Sequence, residues 1–400
     1  MNPHEACGYS PVVTTSLSHR IRQQALDLGF DMVGITDVRP SEHAEFFRQW
    51  LANGHHGSMH YLEREDAVAN RIDPARAWPE LKSAVVVALN YYSGDNGDAE
   101  DNASRGIIAR YARGRDYHKV IKPRLLTLLE RIEAEIGREL PAARAYTDTG
   151  PVFERELARR AGLGWFGRST MLVNPRRGSY FFLGTLLLEL ELEPDTPFTA
   201  DHCGTCSSCV DACPTGALLG RDANGAPVID ATRCISYLTI ENRGPIPREL
   251  RPLIGNRIFG CDICQEACPF SRKFSRPSTE PDFSPRPEMM SPSLASLMRM
   301  SPADWDEFSR GFPVRRAKRA GFLRNVAVAL GNWGSEAAVP PLVDALSDEE
   351  PLVRGHAAWA LGRMASPDAL TALEAALAVE RDSFVRKELE LALRPSPGTK

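Results

Sequence analysis

Eight of the nine cysteines lie between Asp201 and Phe270, and their spacing constrains the fold more than any other feature of the chain. The first group reads Cys203-Gly-Thr-Cys206-Ser-Ser-Cys209-Val-Asp-Ala-Cys213-Pro214. This C-x2-C-x2-C-x3-C-P run holds 4Fe–4S clusters in bacterial ferredoxins, where the cysteine before proline ligates the other cluster. The second group, Cys261-Asp-Ile-Cys264-Gln-Glu-Ala-Cys268-Pro269, lacks the middle cysteine, and Cys234 restores the count. Crossing the two Cys-Pro ligands gives Cys203, Cys206, Cys209 and Cys268 to one cluster. The other then takes Cys213, Cys234, Cys261 and Cys264, and only Cys7 is left over. Disulfides suit small secreted domains, and structural zinc asks only for paired C-x2-C. Two 4Fe–4S clusters are therefore the expected cofactors of this region.

A chain of 400 residues suggests two or three domains, at roughly 150 residues each. The net charge of −4 excludes a nucleic-acid reader that relies on global positive charge, but not a local basic patch. Met1–Ser10 carries no basic-then-apolar signal and no paired arginines. The most apolar run, Tyr180 to Leu190, contains Glu189 and is too short to span a bilayer. A soluble, cytoplasmic protein with no membrane contact, acting as a monomer, is expected.

Leu17, Ile21, Ala25 and Leu28 recur at helical spacing, with Thr15 or Ser16 as cap and Gly29 as stop. Met32–Ile35 reads as a short strand, and Ala84–Leu89, apolar on both faces, as a central one. Asp95–Asn102 reads as a polar loop. Leu125, Leu128, Leu129, Ile132 and Ile136 mark an amphipathic helix with Pro123 in its first turn. A helix follows Pro151 and stops at Gly162, and Tyr180–Leu190 is one more buried strand. Beyond the cysteines, Ala329-Leu330-Gly331 returns as Ala360-Leu361-Gly362, and Leu342/Leu346 return as Leu373/Leu377. Such a recurrence marks stacked helix pairs of the HEAT type. The expected fold is an α+β multidomain chain. It has an α/β domain over 1–195, a ferredoxin-like double-cluster domain over 196–275, a Pro/Ser-rich linker over 276–300 and HEAT-like helical repeats over 301–395.

Clusters move single electrons, and no G-x-G-x-x-G follows a strand to hold a dinucleotide. The unusual polar stretches of the first domain are Arg110–His118, Tyr146–Pro151 leading into Glu154, and Gly162–Arg168. Read plainly, Asp148 caps the next helix, Arg113 and Arg115 are solvated, and the glycines serve tight turns. Taken together, RYARGRDYH, DTGPVFERELARRAGLGWFGR, the cysteine layout, CISYLTIE and GNRIFGCDIC closely resemble the epoxyqueuosine reductase family, over nearly the whole chain.

The resemblance implies cobalamin beside two 4Fe–4S clusters, and the last step of queuosine synthesis on tRNA. The partner would be tRNA carrying epoxyqueuosine in its anticodon loop, with an unidentified low-potential electron donor. Two electrons and two protons would convert the cyclopentane epoxide to an alkene and water, and cobalamin reduced to Co(I) would carry the hard step. The family's acid maps onto Asp148, which would need its pKa raised by burial against ring systems. Corrin contacts map onto Arg71, Ala109, Asp148, Leu172, Leu183 and Ser236. His118 is a weaker candidate for a cobalt ligand than for a hydrogen bond. Arg315, Arg316, Lys318, Arg319 and Arg324 form a basic run. It suits either a solvated face or phosphate contacts, with Arg354 and Arg386 extending it. The loop Arg243-Gly244-Pro245-Ile246 is placed to reach unpaired bases. A corrinoid reductive dehalogenase or a plain iron–sulfur electron carrier are the alternatives. The first usually carries an export signal and lacks helical repeats, and the second leaves Asp148 and the α/β domain without a task.

Overall fold

The computed structural model describes residues 16–94 and 100–394. Cys7, Thr15 and most of the expected 95–102 loop lie outside the described residues. The first helix is Leu17–Asp27, capped by the Ser16 hydroxyl, which accepts from His19 N. It leads into a four-stranded sheet with the order Met32–Asp37, Ser83–Asn90, Phe181–Leu188, Arg144–Tyr146. Every neighbouring pair is antiparallel.

Strand Ser83–Asn90 is central, and its alternation builds two cores at once. Val85, Val87 and Leu89 pack with Ile21, Ala25, Leu125, Leu128 and Ile132 on one face. Ala84, Val86 and Ala88 pack with Leu157, Ala158, Leu163 and Leu172 on the other. Helices thus cover both faces of an antiparallel sheet. The long helix on the first face, His118–Ile136, begins earlier than its apolar spacing suggested. Pro123 therefore stands inside it rather than in its first turn.

The third core is shared. Ile235, Leu238, Ile254 and Phe259 of the cysteine-rich region pack with Leu323, Val326 and Leu330 of the repeats, and Ile108 and Ala112 join from the first domain. The repeats are helices Lys318–Trp333, Val339–Ala345, Pro351–Met364, Pro367–Val379 and Ser383–Ala392. The recurring Ala-Leu-Gly has a packing cause. A Cβ at Gly331 would lie 2.9 Å from Ala360 Cα, and one at Gly362 would lie 2.8 Å from Ala392 Cα. Each glycine marks where one helix lies directly on the next. Pro340 and Pro341 fall in a first turn, where proline costs nothing.

Segment 276–300, expected as a linker, is packed along its length: Phe283 enters the first-domain core, and Met289, Leu294, Leu297 and Met298 enter the shared third core. Phe283 and Met289 are buried; Ser278 N donates to Tyr92 O at 2.8 Å, and Arg286 N to Arg113 O at 3.0 Å. Among the described residues no helix is long and apolar enough to cross a membrane.

Candidate active site

All eight cysteines of the dense region are free thiols, and two sets of neighbours emerge. Burial pushes the Cys209 thiol up to about 11, and the adjoining Cys203 and Cys268 add to it. Burial likewise pushes Cys264 well above the usual thiol range, followed by Cys261, Cys234 and Cys209. Cys234 is raised mainly by burial, with Cys213 beside it, and Cys261 reaches about 12 for the same first reason. Apart from Cys209 beside Cys264, these are the neighbours that the crossed ligand division gives each thiol. Sulfurs gathered so closely oppose each other's ionisation, and cationic iron relieves that conflict, so the donor set fits two iron–sulfur clusters.

Asp148 lies in the turn after strand Arg144–Tyr146, with φ of 61°. Left-handed backbone costs a residue with a Cβ roughly 1–2 kcal/mol, so the surroundings must hold it. Thr147 Oγ1 donates to Leu183 O at 2.8 Å. Gly150 lies flat on the Tyr146 ring, where a Cβ would come within 2.4 Å of Cγ. The Asp148 N–H donates to Glu154 Oε2 at 2.8 Å. The Asp148 carboxylate accepts from the Tyr117 hydroxyl at 3.0 Å, and His118 Nε2 stands 3.8 Å away. His118 Nδ1 pairs with Asp116 Oδ1 at 2.8 Å.

Two readings of Asp148 need correction. It caps no helix, since Phe153 occupies that position of Glu154–Arg160. Nor is it buried: its side chain is 66% exposed. The sunken carboxyl is Glu154, which burial and then the Asp148 charge push up to about 8. Its Oε1 is shut off from solvent without a hydrogen-bond partner. Sequence reasoning gave Glu154 no role, although it stands in the same DTGPVFE stretch.

The Arg110–His118 segment joins this acidic turn to the cysteines. Arg110 N and Nη1 donate to Asp262 Oδ2 at 2.8 and 3.1 Å, beside Cys261. Arg113, read as solvated, is buried instead, and its Nε donates to Ile108 O at 2.8 Å. Tyr111 is half-buried between the two sites, and burial of its hydroxyl, then Asp148 and Asp262, raise that group far above the usual range. Across the opening, Tyr61, Arg71, Thr149 and Pro151 share a cavity of about 280 Å³. Tyr61 senses Glu241, Arg316, Asp148 and Arg71 together. Arg71, Leu183 and Ser236 are half-buried, whereas Ala109 and Leu172 are core residues. Ala109 N donates to Phe259 O at 2.8 Å, just ahead of Cys261 in the chain.

The basic run divides. Arg243, Pro245, Arg315, Arg316 and Lys318 are exposed and Gly244 is half-buried. Arg315 pairs with Asp306 at 2.7 Å, and Arg316 grips Glu241 through two 2.9 Å bonds. Arg319 is turned inward onto Asp348 and Met300 O. Arg324 is wholly buried and serves the fold, not a surface. Arg354 is paired with Glu380, and Arg386 donates to the carbonyls of Leu377 and Glu380.

Residues 71–149 match the family model epoxyqueuosine reductase QueG, DUF1730. Residues 202–271 match the 4Fe–4S double cluster binding domain, and residues 317–394 match HEAT repeats. The epoxyqueuosine reductase of Pseudomonas aeruginosa is 43% identical over 360 residues, covering 88% of this chain and 96% of that one. The chain belongs to the epoxyqueuosine reductase family. The epoxyqueuosine reductase of Escherichia coli K12 is 39% identical over 356 residues, covering 88% of this chain and 91% of its own length. Among solved structures, an epoxyqueuosine reductase with an epoxyqueuosine-modified tRNA-Tyr stem loop superposes with a TM-score of 0.85. It is 31% identical, covering 94% of this chain and 98% of that chain. The Bacillus subtilis epoxyqueuosine reductase, with its catalytic aspartate loop swung out of the active site, gives a TM-score of 0.84 at 31% identity. It covers 94% of this chain and 98% of that chain.

Proposed function

We propose that this chain reduces the epoxide of epoxyqueuosine in the tRNA anticodon loop to the alkene of queuosine, with release of water. The observation that carries the reading is Asp148, an exposed carboxyl on a braced left-handed turn. It is bonded to Tyr117 at one end of the Arg110–His118 segment, whose Arg110 at the other end bonds Asp262, between Cys261 and Cys264. Breaking the C–O bond leaves an alkoxide, and a positioned acid that protonates it contributes about 10²–10⁴-fold. Asp148 delivers that proton once the bound substrate covers its exposed carboxyl and burial favours the protonated form. Tyr117 fixes the Oδ2 rotamer, and Glu154, uncharged at neutral pH, anchors the Asp148 backbone. His118 closes the wall through Asp116, and a role as cobalt ligand is not needed.

Cobalamin belongs to this reading through the family resemblance, and the site has features that suit it. His118 Nε2 and Glu154 Oε1 are buried without hydrogen-bond partners beside the Asp148 turn. Arg71, Leu183 and Ser236, with Asp148 and the backbone at Ala109 and Leu172, would hold it. When bound, it supplies a strongly reducing centre between the clusters and the substrate. The eight thiolates hold the two 4Fe–4S clusters, fed by a low-potential donor in the cytoplasm. Arg243, Gly244, Pro245, Arg315, Arg316 and Lys318 meet the tRNA, the cations through phosphates, and Arg319 braces the run from within. An anaerobic assay tests the whole reading. The reconstituted protein, cobalamin, a low-potential reductant and epoxyqueuosine-containing tRNA are combined, and the nucleosides are identified by mass. Queuosine formed only with cobalamin present is the expected result. Its absence, with clusters and cobalamin both bound, overturns the substrate assignment.

A further inference from the structure

Trp165 and Arg168 belong to the Gly164–Arg168 stretch, which takes no part in the acid site. Strand Trp165–Phe166 pairs with Leu172–Val173 in a small hairpin of the first domain. From it the Trp165 indole Nε1–H donates to Cys203 Sγ at 3.4 Å. The ring cannot turn away: it is 3% exposed, with Phe198, His202 and Phe270 at 5.6, 4.9 and 4.9 Å between centroids. From the same hairpin Arg168 Nη2 donates to Gly204 O at 2.7 Å. Both donors reach the same short loop between Cys203 and Cys206, Trp165 at Cys203 and Arg168 at Gly204.

We propose that this hairpin sets the reduction potential of the cluster held by Cys203, Cys206, Cys209 and Cys268, with Trp165 and Arg168 as its positioning residues. The inference rests on the two-cluster reading. Reduction adds one electron to an already anionic cluster. An N–H dipole fixed on a ligand sulfur and a nearby guanidinium both favour the reduced state and raise the potential. Cys213 also accepts a hydrogen bond, from the main-chain N–H of Ala217 at 3.3 Å, a donor that no simple side-chain substitution removes. The first domain therefore acts on one cluster through side chains that can be changed singly.

The test is an anaerobic redox titration of the reconstituted protein followed by the EPR signals of the reduced clusters. Iron and acid-labile sulfide in the same samples confirm that both clusters are present. Trp165→Phe keeps the aromatic packing and removes the donor. It is expected to cut the reduced-to-oxidised ratio of one cluster about tenfold at fixed potential, a downward shift of about 59 mV for one electron. The other cluster should not move. Arg168→Gln should shift the same cluster in the same direction. If Trp165→Phe fails to hold that cluster, the Arg168→Gln potential decides alone. Unchanged potentials, or equal shifts in both clusters, overturn the proposal.

Discussion

Glu154→Gln removes one titratable carboxyl from the acidic site while keeping its shape. Gln retains a carbonyl oxygen to accept the Asp148 N–H, which Glu154 Oε2 holds at 2.8 Å. Burial and then the Asp148 charge raise the Glu154 pKa from an ordinary 4.5 to about 8. A folded-state pKa above the unfolded value contributes stability that is complete below pH 4.5 and lost as pH climbs through 8. At 1.36 kcal/mol per pH unit this sets a ceiling of about 5 kcal/mol. Glu154 keeps some solvent exposure and one strong donor, so screening reduces the expected loss to about 2–3 kcal/mol. Urea unfolding of both proteins from pH 4 to 9, which spans the whole window between the two pKa values, measures it. The wild type should fall behind the variant by that amount across the range, with the denaturant slope unchanged. Parallel curves would show that Glu154 titrates as an ordinary surface carboxylate, and its assignment as the neutral partner of Asp148 would be lost.

Asp148→Asn keeps an acceptor for Tyr117 and tolerates positive φ. It should retain both clusters yet lower single-turnover reduction about 10²–10⁴-fold; full turnover removes the acid role. Cys234→Ser should lose one cluster and half of the iron, and an unchanged iron and sulfide count refutes the crossed ligand division. Arg316→Glu places two carboxylates where Arg316 now grips Glu241. The tRNA affinity should fall, and its dependence on log salt should flatten by about 0.7–0.9 for each phosphate that is no longer neutralised. An unaltered slope assigns Arg316 to bracing alone. Arg324→Met leaves the carbonyls of Leu238, Asn242 and Gly244 without their donor. At about 1–3 kcal/mol for each buried unsatisfied group, thermal unfolding should shift down markedly; a wild-type midpoint contradicts the buried-cation argument.

The parts legible in the sequence were those whose physics is local. Cysteine spacing defines chelation, and the two-faced apolar run at Ala84–Leu89 announces a strand covered on both sides. Ala-Leu-Gly repeats because two helix crossings need the same absence of a side chain. Strand direction was not legible, because alternating helices and strands do not encode which strands pair. The Pro-rich 276–300 segment reads as a linker by composition, yet Phe283, Met289, Leu294, Leu297 and Met298 bury it along its length. Arg324 looks like Arg315 and Arg316 in the chain. Only the docking of its helix on Leu238 and Asn242 separates a core cation from a surface one. Asp148 could be picked out by motif, but which of two nearby carboxyls is buried depends on packing around the turn.

That buried arginine changes what the repeats are for. Burial pushes the Arg324 guanidinium down to about 9, and its acceptors are three carbonyl oxygens and Asn325 Oδ1. A cation taken out of water without a carboxylate is costly unless neutral dipoles replace its hydration. Two of those dipoles, the carbonyls of Asn242 and Gly244, belong to the Asn242–Ile246 loop. His356 holds the other end: its Nε2 accepts from Ile246 N at 3.1 Å, while Nδ1 faces Leu352 O at 2.7 Å. Burial drives its pKa far below the usual imidazole range, so it stays neutral and can accept. The repeats therefore shape the Asn242–Ile246 loop from behind. The same loop continues from helix Ile235–Ile240, whose N-cap is Cys234. A six-residue helix thus separates Cys234 from the loop proposed to meet tRNA, so on that proposal repacking the repeats should disturb tRNA placement and cluster geometry together.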